Sequence, residues 1–70
     1  MTQNQKILEH LQSGRTITQL DALNKYGCLR LSGRIFELRQ RGYKINTKTI
    51  AVRNRDGESA YVAEYSLEEV

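Results

Sequence analysis

The sequence contains no proline, no tryptophan, one cysteine and one histidine. Without proline there is no stiff polyproline linker, and nothing stops a helix except glycine and turn chemistry. A single cysteine, Cys28, excludes an internal disulfide, and a reduced, cytoplasmic setting is expected. His10 and Cys28 lie 18 positions apart and do not make a zinc site. Apolar runs are only a few residues long, too short for a membrane span. The polar opening, Thr2-Gln3-Asn4-Gln5-Lys6, leads into no long apolar region, so no signal peptide is expected. No glycine-rich phosphate loop is present, and Glu68-Glu69 is an acid pair in a tail with nothing to hold it. Catalysis, a metal, a cofactor and a small-molecule ligand are therefore not expected. His10 is expected at the surface or half-buried on its helix, and Cys28 as a small inert core residue.

What is present is a sharply divided charge pattern. Seventy residues hold one domain, 1–70, and its net charge is only +3. Yet from Lys25 to Arg55 nine Lys/Arg face one acid, Glu37, whereas from Asp56 to Val70 there are five acids and no base. Such a chain presents one basic region to an anionic partner. Taken alone, the same pattern also fits a solvated arginine-rich helix and loop.

Four glycines, Gly14, Gly27, Gly42 and Gly57, divide the chain. Ile7, Leu8 and Leu11 make an apolar stripe that predicts a helix over about 3–13, with Thr2 as N-cap and Gly14 beyond its end. Arg15-Thr16-Ile17 reads as a short extended link. Thr18-Gln19-Leu20-Asp21 has the form of a capping box and predicts a helix over about 19–25, whose buried face is Leu20 and Leu23, with Tyr26 a further candidate for it. Cys28, Leu31, Ile35 and Leu38 form a core-facing stripe that predicts a third helix over about 28–41, with Gly27 as N-cap and Gly42 as stop. Arg30, Arg34, Glu37 and Arg41 fall on another stripe, roughly opposite. The remainder is a β-hairpin over about 45–67, turning at Asn54-Arg55-Asp56-Gly57. Ile45 has odd parity while Ile50 and Val52 have even parity, which predicts a bend or bulge near 46–49. Ser66 to Val70 is expected to fray.

Three helices followed at once by a hairpin is the order of an α+β winged helix-turn-helix. The residues carry a matching pattern. Ser32-Gly33-Arg34-Ile35-Phe36-Glu37-Leu38-Arg39-Gln40-Arg41-Gly42-Tyr43-Lys44-Ile45 resembles the end of a recognition helix leading into a wing, as in winged-helix repressors of the biotin-repressor type. Leu20, Leu23 and Gly27-Cys28-Leu29-Arg30-Leu31 resemble short phage and prophage helix-turn-helix proteins. The resemblance spans about Ile7 to Leu67. It implies double-stranded DNA binding by a phage-type transcriptional regulator, or by an excision or replication factor. The chain departs from the pattern at Gly27-Cys28, where Ser or Thr is usual, and at apolar Leu29.

The chemistry is compatible with that implication. The major groove admits one helix, and an arginine fork pairs with guanine O6 and N7. Arg30, Ser32, Gly33, Arg34 and Glu37 are the candidate base contacts, although Glu37 also suits a pair with Arg34 or Arg41. Thr18, Lys25, Arg41, Lys44 and Lys48 are candidate backbone contacts, and Arg53 and Arg55 sit on the wing, within reach of a minor groove. Leu29 and Phe36 lie away from the core stripe. Packing on the wing or the first helix is the first expectation for them; thymine methyls or a dimer contact are the others. A chain this short offers one half-site, which favours a homodimer, formed if need be only on DNA. Two alternatives stand: a winged-helix module that docks on a host protein, and general nucleic-acid binding through the basic face.

Overall fold

A computed structural model describes residues 2–68. Its elements are α1 (Gln3–Gln12), β1 (Ile17–Thr18), α2 (Gln19–Tyr26), α3 (Leu31–Gln40), β2 (Ile45–Arg53) and β3 (Ser59–Leu67). The three strands form one antiparallel sheet in the order β1-β3-β2. The fold is α+β, with the three helices packed against the base of the hairpin.

Local chemistry starts each of the first two helices. Thr2 and Gln5 form a reciprocal capping box at α1, and Thr18 and Asp21 form another at α2. The third helix differs from its expected limits. It begins at Leu31, and Gly27 closes α2 instead of opening α3. Gly27 adopts φ +65°, its N–H donates to Leu23 O, and the Cys28 N–H donates back to Ala22 O. That pair of bonds satisfies the last carbonyls of α2 and needs the left-handed conformation glycine adopts freely. Cys28 still points into the core, from the turn rather than from a helix.

The core is Ile7 and Leu11 of α1, Ile17 of β1, Ala22 of α2, Cys28, then Leu31, Ile35 and Leu38 of α3 and Ile45 of β2. Leu20 and Leu23 do not join it: they are 65% and 41% exposed, and Ala22 is the buried residue of α2. The small alanine lets this short helix approach its neighbours closely. Leu20 then lies about 200° around the helix from it, facing outward. His10 is buried, contrary to expectation. Its Nε2 donates to the Thr16 carbonyl at 2.8 Å, and its Nδ1 is hydrogen-bonded with the Tyr26 hydroxyl at 2.7 Å. The imidazole thereby ties α1 to both the β1 approach and the end of α2.

The hairpin is regular from Ile45↔Leu67 to Arg53↔Ser59, without the expected bulge. The parity conflict is resolved by using both faces. Ile45 enters the core at the base, whereas Ile50 and Val52 lie on the other face, opposite Val62 and Ala60. Ser66 and Leu67 are not frayed: both are in β3, and the Glu68 N–H donates to Lys44 O at 2.8 Å. Glu69 and Val70, the rest of that expected frayed tail, lie outside the described residues.

Candidate nucleic-acid interface

The most basic helix, α3, is fixed from three directions by polar side chains. At its start no side chain of its own caps it. Instead Gln19 reaches across from α2: its Oε1 accepts the Leu31 N–H and its Nε2 donates to Cys28 O, both at 2.7 Å. Toward α1, Asn4 Nδ2 donates to Glu37 Oε2 at 2.7 Å. Toward the wing, Arg39 donates through Nε and Nη2 to Ile45 O and through Nη2 to Thr47 Oγ1. The side chains of Leu31, Ile35 and Leu38 anchor the helix below. Gln19→Ala is expected to cost about 1–3 kcal/mol, because it leaves a helix-start donor and a carbonyl unpaired; a drop in thermal melting temperature checks it.

With that side buried, helical geometry turns Gly33, Phe36 and Gln40 most directly outward. Phe36 is 61% exposed and Leu29 78% exposed, so neither packs on the wing or on α1 as first expected. The cause is that Leu31, Ile35 and Leu38 already fill the interior side. The arginines Arg30, Arg34 and Arg41 lie on the flank nearer α1 rather than directly opposite the core.

The expected contact residues separate into groups. Arg30, Gly33, Arg34 and Glu37 come together with Phe36 around a shallow hollow of 350 Å³ on the outer face of α3. Thr18, Ser32 and Arg53 come together around a second groove, of 390 Å³, between the starts of α2 and α3 and the wing. Leu20, Val52 and Val62 supply part of its apolar wall. Lys25, Arg41, Lys44, Lys48 and Arg55 line neither. Lys25 is in the last turn of α2, Arg41 follows α3, Lys44 precedes β2, Lys48 is exposed on β2 and Arg55 is in the wing turn.

Electrostatically the face is one of free cations. Among the described residues the only ion pair is Arg34–Glu37, with Arg34 Nη1 3.0 Å from Glu37 Oε1. The Glu37 carboxyl is held below its ordinary pKa, first by the Asn4 hydrogen bond and then by the charges of Arg34 and Arg41, against an opposing effect of burial. Both its oxygens are engaged, so Glu37 acts as a clamp between α1 and α3. The Thr18 hydroxyl is likewise engaged, accepting the Asp21 N–H. Arg30 makes no side-chain hydrogen bond at its helix start. Among the described residues no three His, Cys, Asp or Glu side chains come together as a metal site, and no helix is long and apolar enough to cross a membrane.

Three positioning residues, Asn4, Gln19 and Arg39, were not legible as such in the sequence. Each bond spans elements, at separations of 33, 9 or 12, and 6 or 8 residues, and no local pattern announces it.

A family described as a winged helix-turn-helix domain matches residues 2–70 of the chain. No curated protein and no solved structure shows significant similarity to it.

Proposed function

The chain belongs to the winged helix-turn-helix family, and from that premise we propose that it is a sequence-specific double-stranded DNA-binding regulator that lays α3 in the major groove. The observation that carries this reading is the basic face itself: a helix braced on three sides, whose surrounding lysines and arginines, Arg34 excepted, have no acid partner among the described residues. Such a surface attracts phosphate, and bracing lowers the ordering cost of binding.

Within this reading Arg30 is the principal base contact, because Arg34 is already paired with Glu37. Ser32 and Gly33 permit close approach. Thr18, Lys25, Arg41, Lys44 and Lys48 contact the backbone, the amides at the start of α2 assisting Thr18. Arg53 and Arg55 carry the wing to an adjacent phosphate or minor groove. Phage-type transcription control, or service as an excision or replication factor in the cytoplasm, is the role suggested by the resemblance of Gly27 to Leu31 to short phage regulators. One half-site per chain favours two copies on adjacent sites.

A pool of random duplexes, selected over several rounds, tests this. One enriched motif is expected, with Arg30→Ala relaxing it at one position and weakening binding about 5- to 150-fold. Absence of enrichment by the folded protein would overturn the reading. A second reading, docking on a host protein, is favoured by the exposure of Leu29 and Phe36. Arg30→Ala would leave such a complex unaffected, whereas Phe36→Ala would break it.

A further inference from the structure

The first turn of α3 holds a glycine that the fold does not require. Gly33 has no positive φ. A Cβ built on it would meet nothing within 4 Å. Neither backbone conformation nor internal packing therefore explains it, and glycine is a weaker helix former than alanine, by at most about 1 kcal/mol. What its missing side chain leaves is space on the outer side: the 350 Å³ hollow bounded by Arg30, Arg34, Phe36 and Glu37.

The walls of that hollow differ in character. Phe36 presents an exposed aromatic ring that takes no part in the core. The rim is cationic through Arg30 and Arg34. The one acid, Glu37, is paired with Arg34 and hydrogen-bonded by Asn4, which leaves Arg30 as the rim's cation without an acid partner among the described residues. An apolar wall under a cationic rim suits an apolar group carried on a polyanion. In the major groove the apolar group that distinguishes bases is the 5-methyl of thymine.

We propose that the hollow over Gly33 receives the 5-methyl group of a thymine, with Phe36 as its apolar wall, making Gly33 and Phe36 specificity-determining residues. The inference rests on the DNA-binding reading above and deepens it. The ring covers the methyl, Gly33 lets the base edge come close to the helix backbone, and Arg30 holds the neighbouring guanine or phosphate. Cytosine, which has no methyl, leaves the ring uncovered at that position.

The test replaces each thymine of the selected motif, one at a time, by deoxyuridine. This removes one methyl and leaves the base pairing unchanged. The native protein is expected to lose about fourfold in affinity at one thymine, the effect of uncovering one methyl group. Phe36→Ala is expected to bind the thymine and deoxyuridine duplexes equally. Gly33→Ala is expected to melt at a higher temperature and yet to lose the discrimination, a separation that a structural role for Gly33 would not produce. If the native protein binds its motif with equal affinity after every replacement, the thymine pocket is overturned while DNA reading stands. If it binds no motif at all, both fall. Should Phe36→Ala keep full discrimination while losing a protein partner, the hollow is a protein-docking site.

Discussion

Changing Ile35 to alanine is expected to lower the melting temperature by roughly 10–30 °C, while the same truncation one residue on, at Phe36, leaves it within a few degrees. The two side chains are neighbours in sequence and about 100° apart around α3. Ile35 is 1% exposed and packs among Ile7, Leu11, Leu31 and Leu38 in the core of the described residues. Truncating it removes about 2–5 kcal/mol through lost transfer energy and the cavity left behind. A 70-residue domain has only about 4–10 kcal/mol in all, so Ile35→Ala brings it to the edge of unfolding. Phe36 contributes little to that core, so its loss is read in binding rather than in melting. Circular dichroism melting of the two variants measures the difference. Equal losses at both positions would show that Phe36 is buried, and would remove the outward face on which the DNA reading depends.

That contrast also marks how far the sequence could be read. Leu31, Ile35 and Leu38 are buried as their spacing implies, because core burial follows helical periodicity closely, whereas Cys28 is buried from the turn before the helix. Capping at Thr18 was legible because it is local. The start of α3 is ambiguous in the sequence because Gly27 suits two roles: glycine tolerates the N-cap of one helix and strongly favours the end of the previous one. Leu20 and Leu23 suit an interior face by their hydrophobicity, but the packing of α2 leaves them outside. In an eight-residue helix packed through Ala22 and the half-buried Tyr26 there is no room to bury them as well. The bulge expected from Ile45, Ile50 and Val52 assumed one buried face, yet the hairpin extends beyond the core and uses two. The hollow over Gly33 was hidden for a similar reason. The sequence displayed the glycine, but only the structure gives the empty surroundings of its absent side chain.

Removing both wing arginines, by Arg53→Ala with Arg55→Ala, is expected to weaken DNA binding about 30-fold at 0.15 M salt and to lower the slope of log K against log salt by about 1.8. Arg53 closes β2 and borders the groove shared with Thr18 and Ser32, and Arg55 lies in the turn that follows. Neither has an acid partner among the described residues, so each is free to displace a counterion from a phosphate. Each such contact contributes about 0.9 to the slope, which gives both figures for two contacts. The enriched motif should persist in this variant, because phosphate contacts position the protein and base contacts specify it. Arg30→Ala has the opposite signature: a position of the motif relaxes and the salt slope changes little. If the wing arginines instead enter a narrow minor groove, the loss becomes larger on sites flanked by A-tracts than on mixed flanks, since a narrow groove deepens the negative potential they meet. An unchanged slope would detach the wing from the DNA altogether. The contact surface would then be confined to α3 and the start of α2, too small for tight binding by one copy, and the affinity would have to come from a second copy on an adjacent site.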